Sequence, residues 1–301
     1  MHFLPTDDQL ELQRGVREQL KDVFPLERLP SGYDANVWRA LTDTGVFALR
    51  TDLGLGLADA VLVFEELGKA CVPGPLVSTF LAAGYADGPV ALVEAEQTPL
   101  LVAHLDVATA VLVIGTDARL AAVPQDATSV PDPIDPLSPL HELIRVPAGE
   151  PLDGIDVDAV RREGAVLTVA LQVGLAARLT ELAVAYAKER EQFGRTIGSF
   201  QAVKHICADM FVRAELARVA VHAAAVTLDD PEAEDAPRVV AGAKLLADEA
   251  AATNGRGAVQ VHGGMGFTWE VPVHFFLKRA WLHATEFGTA EDHAEALAAA
   301  L

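Results

Sequence analysis

A mainly α fold with a small β middle segment is predicted by three observations. Apolar residues recur at helical spacing over the first third of the 301-residue chain and again over its second half. Between these regions lie short Val-, Ile- and Leu-rich runs broken by Asp, Gly and Pro, the pattern of strands. The proline-rich stretch 124–139 (PQDATSVPDPIDPLSP) cannot be helical, because proline lacks the N–H that a helix needs. The chain thus divides into an N-terminal helical domain (1–96), a reduced β middle domain (97–153) and a C-terminal four-helix bundle (154–301).

The elements follow in order. Thr6 with Gln9 reads as a capping box, and Leu10, Val16, Leu20 and Val23 continue an apolar stripe behind it. A second helix is expected over about 34–44, and a third through LADAVLVFEELG to a stop at Gly68. Pro75 suits the first turn of a fourth, PLVSTFLAAGYA. LLVAHL, TAVLVIG, RLAAV and LIRV supply three or four strands.

The second half turns helical again. Leu175, Leu179, Leu182 and Tyr186 share one face of a helix expected to end near Phe193-Gly194. Val203, Ile206, Met210, Ala214, Ala217 and Val221 line the next. Two more are expected over about 237–260 and 272–285, and a short last helix opens at Thr289 with Asp292 as its reciprocal cap. Four long antiparallel helices make a bundle.

Composition narrows the function. Acidic residues number 43 against 23 basic, a net charge of -20 that repels phosphate backbones and argues against gripping nucleic acid. The two cysteines, Cys71 and Cys207, form no CxxC pair, which excludes a disulfide scaffold and a thiolate zinc site. The nine histidines show no HxH or HExxH spacing, so no metal is expected. With no signal-like start and no run of about 20 uninterrupted apolar residues, a cytoplasmic protein without a membrane span is expected.

Two segments carry candidate chemistry. In 188–203 (KEREQFGRTIGSFQAV), Lys188, Arg190 and Arg195 gather beside Phe193, Gly194 and Gly198. This pattern suits either a plain charged helix end or a guanidinium clamp for a pyrophosphate. In 258–267 (AVQVHGGMGF), Gly263, Gly264 and Gly266 suit either a turn or close backbone approach to a ligand. A helix precedes these glycines, so they are not a strand-turn-helix dinucleotide fingerprint.

Their combination and order resemble the acyl-CoA dehydrogenase family. YAKEREQFGRTIGSFQAVKHICADM and QVHGGMGFTWEVPVHFFLKRA are similar to its two C-terminal signatures, and GLGLADAVLVFEELGKA to an N-terminal one. The resemblance implies a flavoprotein that oxidises an acyl-CoA thioester between Cα and Cβ, with FAD lying across a subunit interface. It places Arg190, Gln192 and Phe193 on the pyrophosphate and adenosine, Gln201 in the next helix, Gln260, Gly263 and Gly264 on a second wall, and Thr289 in the cofactor set.

Two departures from the family pattern stand out. The TEPxAGSD-like loop and Trp-bearing strand that hold the flavin ring are not found between Thr98 and Leu152. The family's catalytic glutamate position holds Phe287, and a second base position used by some members holds Gly164. Glu286 and Glu163 are their neighbours and the remaining catalytic candidates. The resemblance therefore implies the shorter subunit of a heteromeric α2β2 enzyme, like those of actinobacterial steroid-degrading dehydrogenases. A full-length partner would bring flavin platform and base, a bulky acyl-CoA would be the substrate, and an electron-transfer-flavoprotein-like acceptor would take the electrons. The alternatives are a self-sufficient homodimer using Glu163 or Glu286, and a non-catalytic helical scaffold.

Overall fold

The computed structural model describes residues 3–230, 232 and 235–299; the outermost ends of the predicted first and third domains fall outside these. Helices α1 (Asp7–Val23), α2 (Ala35–Asp43), α3 (Leu57–Ala70) and α4 (Leu76–Leu81) come first. Seven short strands follow: β1 (Val90–Glu94), β2 (Leu100–Ala103), β3 (Ala110–Ile114), β4 (Ala118–Ala121), β5 (Thr128–Ser129), β6 (Leu140–Leu143) and β7 (Gly149–Pro151). Then come α5 (Val157–Glu189), the two-residue strands β8 (Glu191–Gln192) and β9 (Arg195–Thr196), α6 (Gln201–Leu228), α7 (Ala236–His262), α8 (Val273–His283) and α9 (Ala290–Ala299).

Local caps form as their residues predict. Thr6 accepts from the Gln9 N–H at 3.3 Å while Gln9 accepts from the Thr6 N–H at 3.0 Å. Thr289 and Asp292 repeat the arrangement at α9, at 3.3 and 2.8 Å. The N-terminus of α3 is capped from far away in sequence: Asp229, just past α6, accepts from the Leu57 and Ala58 N–H groups at 2.8 Å each.

Gly68 does not stop α3. The helix continues to Ala70 and ends at Cys71, whose φ of 54° lies in the left-handed region. Packing is what Gly68 serves. A Cβ there would stand 2.2 Å from the Leu171 carbonyl oxygen of α5, and one at Gly174 would stand 2.1 Å from the Glu65 oxygen of α3. The two backbones cross where neither carries a side chain. Buried Glu66 takes a two-pronged contact from Arg17 of α1 at 3.0 and 2.7 Å, and buried Glu65 accepts from Arg218 of α6 at 3.0 Å. The Glu-Glu-Leu-Gly run thus joins three helices at one crossing.

The β segment is larger than its sequence suggests. One sheet has the order β1-β3-β4-β7, with β1 and β3 parallel and Val90 opposite Ala110. The other has the order β2-β6-β5, all antiparallel. Strand β1 begins at Val90, ahead of the expected limit at 97, and of LIRV only Leu143 is in a strand. The reason is burial on both faces. Val90, Leu112 and Ile114 join the main core, while Ala91, Val93, Val111 and Val113 join a small core of the β segment. Such strands show no polar alternation that would separate them from a buried helix. Strands β5 and β7, two and three residues long, exist only through their partners.

Helix α5, at 33 residues, is the longest of the described helices. By length and composition it could cross a membrane, but 83 % of its apolar window is buried, as in the core helix of a bundle. It packs against α3, α6, α7 and α8, so one core runs through the N-terminal helices and the bundle. A buried pair, Arg279 of α8 with Asp135, fastens the proline-rich stretch to the bundle.

Candidate functional site

Two groups of residues stand out, at opposite ends of the bundle. At the first, α5 stops at Glu189, earlier than the expected Phe193-Gly194, and Arg190 is already extended. Phe193 and Gly194 instead make the two-residue turn between β8 and β9, with φ of 52° and 76°. Two successive positive φ values match the twist of a tight hairpin. For a bulky side chain this is a strained choice, of the kind found at functional sites. The turn holds the Phe193 ring out in solvent, 92 % exposed. Arg195 lies over the Phe200 ring at 4.1 Å, which steadies the return of the hairpin.

Helix α7 ends beside this hairpin. Tyr186, one turn before Arg190 on α5, stacks on His262 with centroids 4.2 Å apart. The His262 Nδ1 donates to the Ala258 carbonyl at 2.8 Å, and burial pushes this imidazole below its ordinary pKa, so it is a neutral packing group. Gly263, at φ 62°, then turns the chain, and a Cβ at either Gly263 or Gly264 would meet nothing within 4 Å. The two glycines therefore border open space. Arg190, Gln192, Phe193, Gln260, Gly263 and Gly264 are all exposed on this end, with Gln201 exposed at the start of α6. Among the described residues the Arg190 guanidinium has no partner, in a chain with a large acidic excess. Exposed Phe267 and Trp269 extend the surface.

The second group surrounds a cavity of about 370 Å³ between β1, the start of α4 and the turn from α8 to α9. Thr289 lines this cavity and is separated from the other predicted cofactor residues. Lys244, which donates to the His283 and Ala284 carbonyls at 3.3 Å each, marks its level on α7. From Lys244 to Gly263, α7 advances by about 28 Å at 1.5 Å per residue.

The predicted catalytic candidates part company here. Glu163 pairs with Arg50 at 2.9 Å and is not among the residues that line the cavity. Glu286 does line it and takes a 2.8 Å contact from His283 Nδ1. Burial, the largest influence on Glu286, opposes its charge, but His283, Lys244 and Arg279 together hold its carboxyl below the ordinary range. Phe287 also lines the cavity; it is buried, and its ring fills the space above Gly164.

Sequence reasoning missed Glu94 and Lys244. Glu94, at the end of β1, accepts from the Phe287 N–H at 3.2 Å. Burial above all raises its carboxyl to about 7, the Phe287 N–H opposing and Glu286 adding to the shift. Lys244 is fully buried and meets Asp248 at 2.5 Å, while Asp248 also accepts from Gln172 at 3.0 Å. A charge closing an apolar strand (VALVE), and a Lys four residues before an Asp inside an apolar helix, are the signals that point to them.

Comparison with known proteins gives three results. A family model for the acyl-CoA dehydrogenase C-terminal domain matches residues 162–301. The acyl-CoA dehydrogenase IpdE2 of Mycolicibacterium smegmatis is 36% identical over 267 residues, spanning 83% of this chain and 82% of that protein. Among solved structures, the ChsE4-ChsE5 complex from Mycobacterium tuberculosis superposes with a TM-score of 0.83 at 23% identity, covering 99% of this chain and 98% of that one. A variant of the Tcur3481-Tcur3483 steroid ACAD gives 0.80 at 22%, covering 97% of both. The structural matches establish a shared fold.

Proposed function

Since the chain belongs to the acyl-CoA dehydrogenase family, we propose that it is one subunit of a heteromeric, FAD-dependent enzyme for α,β-dehydrogenation of an acyl-CoA thioester. It contributes the interface half of the cofactor site, and a full-length partner brings the flavin platform and the base. One observation carries this reading: the exposed adenylate-type group and the cavity lie about 28 Å apart along α7, so one chain presents them to two different cofactor molecules.

The residues of the first end fit the nucleotide half of FAD. The unpaired Arg190 offers a two-pronged donor for a pyrophosphate, the outward Phe193 ring a flat apolar wall for an adenine, and Gln192 and Gln260 polar edges. Gly263 and Gly264 leave their flank open for backbone approach. Bound FAD would supply the hydride acceptor. The chain's own part is to bind and orient: Arg190 neutralises phosphate charge, and the Tyr186–His262 stack keeps the hairpin and the glycine turn in register.

The base comes from elsewhere on this reading, because the two positions where the family places it hold Gly164 and Phe287 in mutual contact. An exposed apolar stripe on α6, formed by Phe211, Val212, Leu216 and Val219, offers the surface for another subunit. The kinship with a steroid ACAD by fold favours a bulky, steroid-derived acyl group. Electrons would pass to an electron-transfer-flavoprotein-like acceptor in the cytoplasm.

Expression alone against co-expression with a full-length homologue tests the reading. The complex is expected to be yellow, with about one FAD per pair of unlike chains, and the isolated chain colourless. An isolated chain that purifies as an active, flavin-loaded homodimer overturns it.

A further inference from the structure

A groove of about 320 Å³ opens where the ends of α1 and α3 lie against α5. Four cations line it: Arg17 and Lys21 of α1, Lys69 of α3 and Arg178 of α5. Two carboxylates, Glu66 and Glu181, line it with them. The excess of positive charge is local, in a chain whose net charge is -20.

The two carboxylates do not occupy all the donors. Arg17 reaches buried Glu66 with Nε and Nη2, at 3.0 and 2.7 Å, and its Nη1 has no partner among the described residues. Glu181 is shared between Lys69 at 3.1 Å and Arg178 Nη1 at 3.0 Å. Arg178 Nε and Nη2 are then left without a partner among the described residues. Lys21 meets Glu18 at 2.7 Å in an exposed pair outside the groove. Glu65, which also acts on Arg17, is matched by Arg218 at 3.0 Å. Burial is the largest influence on Glu181 and opposes its charge, yet Lys69 and Arg178 hold its carboxyl below the ordinary range. The field in the groove is therefore positive.

Between these cations lies an apolar floor. Leu20 and Phe24 are each 3 % exposed, and Pro25, Leu26 and Ala70 complete it. We propose that this groove binds a small amphipathic carboxylate, its head taken by Arg17, Lys21 and Arg178 and its apolar body laid on Leu20, Phe24 and Leu26. A planar guanidinium with a free edge offers charge-assisted donors to a carboxylate. A volume near 320 Å³ suits a compact molecule rather than a long chain. An ammonium ligand would face four cations, and a neutral one would leave the free donors unmet. An inorganic anion would leave the floor unused.

The inference does not rest on the nucleotide reading, because none of these residues belongs to that group or lines the 370 Å³ cavity. Amide chemical-shift mapping and saturation-transfer NMR on the full chain would compare phenylbutyrate with phenylbutanol, phenylbutylamine and inorganic phosphate at one ionic strength. Phenylbutyrate is expected to bind about fivefold more tightly than the alcohol, and to weaken as salt is raised. Its shifts should centre on residues 20–26. Lys21→Gln/Arg178→Gln changes two partly exposed side chains and should lower the affinity about tenfold. Ala70→Trp puts a ring on the floor and should abolish binding with all four cations in place. Equal binding of the alcohol, tighter binding of the amine, phosphate binding as tightly as phenylbutyrate, or an unchanged affinity in the double variant would overturn the site.

Discussion

The ring of Phe287 lies directly against the α-carbon of Gly164: a Cβ at 164 would stand 2.2 Å from the ring edge. These are the two positions that the sequence resemblance aligns with the family's base, and the contact leaves no room for a side chain at 164. Phe287 holds a left-handed φ of 54° to place its ring there. Gly164→Ala is therefore expected to cost about 1–3 kcal/mol by overpacking. The cost should shrink in a Phe287→Ala background, where the new methyl group enters vacated space. Urea unfolding of the four members of this cycle measures it, and an undiminished cost in the double variant would refute the contact.

Arg190 should govern cofactor retention without affecting folding. It is exposed and unpaired, so Arg190→Ala should change stability by less than about 0.5 kcal/mol. In the co-expressed complex, flavin occupancy should fall at least tenfold at limiting FAD. Arg190→Lys should recover only part of it, because an ammonium lacks the two-pronged geometry. Flavin absorbance after gel filtration reports both values.

Glu94 makes stability depend on pH in a definite direction. Its folded pKa of about 7 lies above the ordinary 4.5, so the folded state binds more protons than the unfolded state between those values. Its contribution is then fully present below about pH 4.5 and is lost as pH rises through about 7. Glu94→Gln removes that loss. The variant should gain thermal stability over the parent at about pH 8, by up to about 3 kcal/mol, with little gain at about pH 4.5. Paired melting curves at the two pH values decide this; an equal gain at both would contradict it.

Lys244 carries a buried charge that Asp248 and two helix-end carbonyls offset. Lys244→Met strips Asp248 of its main partner, which burial already pushes toward neutrality. A loss of about 3–5 kcal/mol is expected. The double change Lys244→Met/Asp248→Leu should recover much of it, since an apolar pair of similar volume needs no compensating charge. Equal losses in the single and double variants would show that packing volume, not charge, governs the site.

Several features were legible in the chain before any coordinates. Thr6, Asp292 and the apolar stripes set helix starts and faces, because capping and amphipathicity act within a few residues. That Arg190, Gln192, Phe193, Gln260, Gly263 and Gly264 share one exposed end of the bundle is not encoded locally; the sequence linked them only through the family resemblance. Tertiary structure alone decided the rest. Strand β1, the short β5 and β7, and the role of Gly68 depend on partners far away in sequence, and no local pattern encodes them. The turn at Phe193 arises where α5 stops early and its hairpin folds back. The most consequential case is Glu94. In sequence it is one carboxylate among 43 acidic residues; burial beside Phe287, at the wall of a cavity, sets it apart. Desolvation is a property of the assembled fold, and only the fold can assign it to a residue.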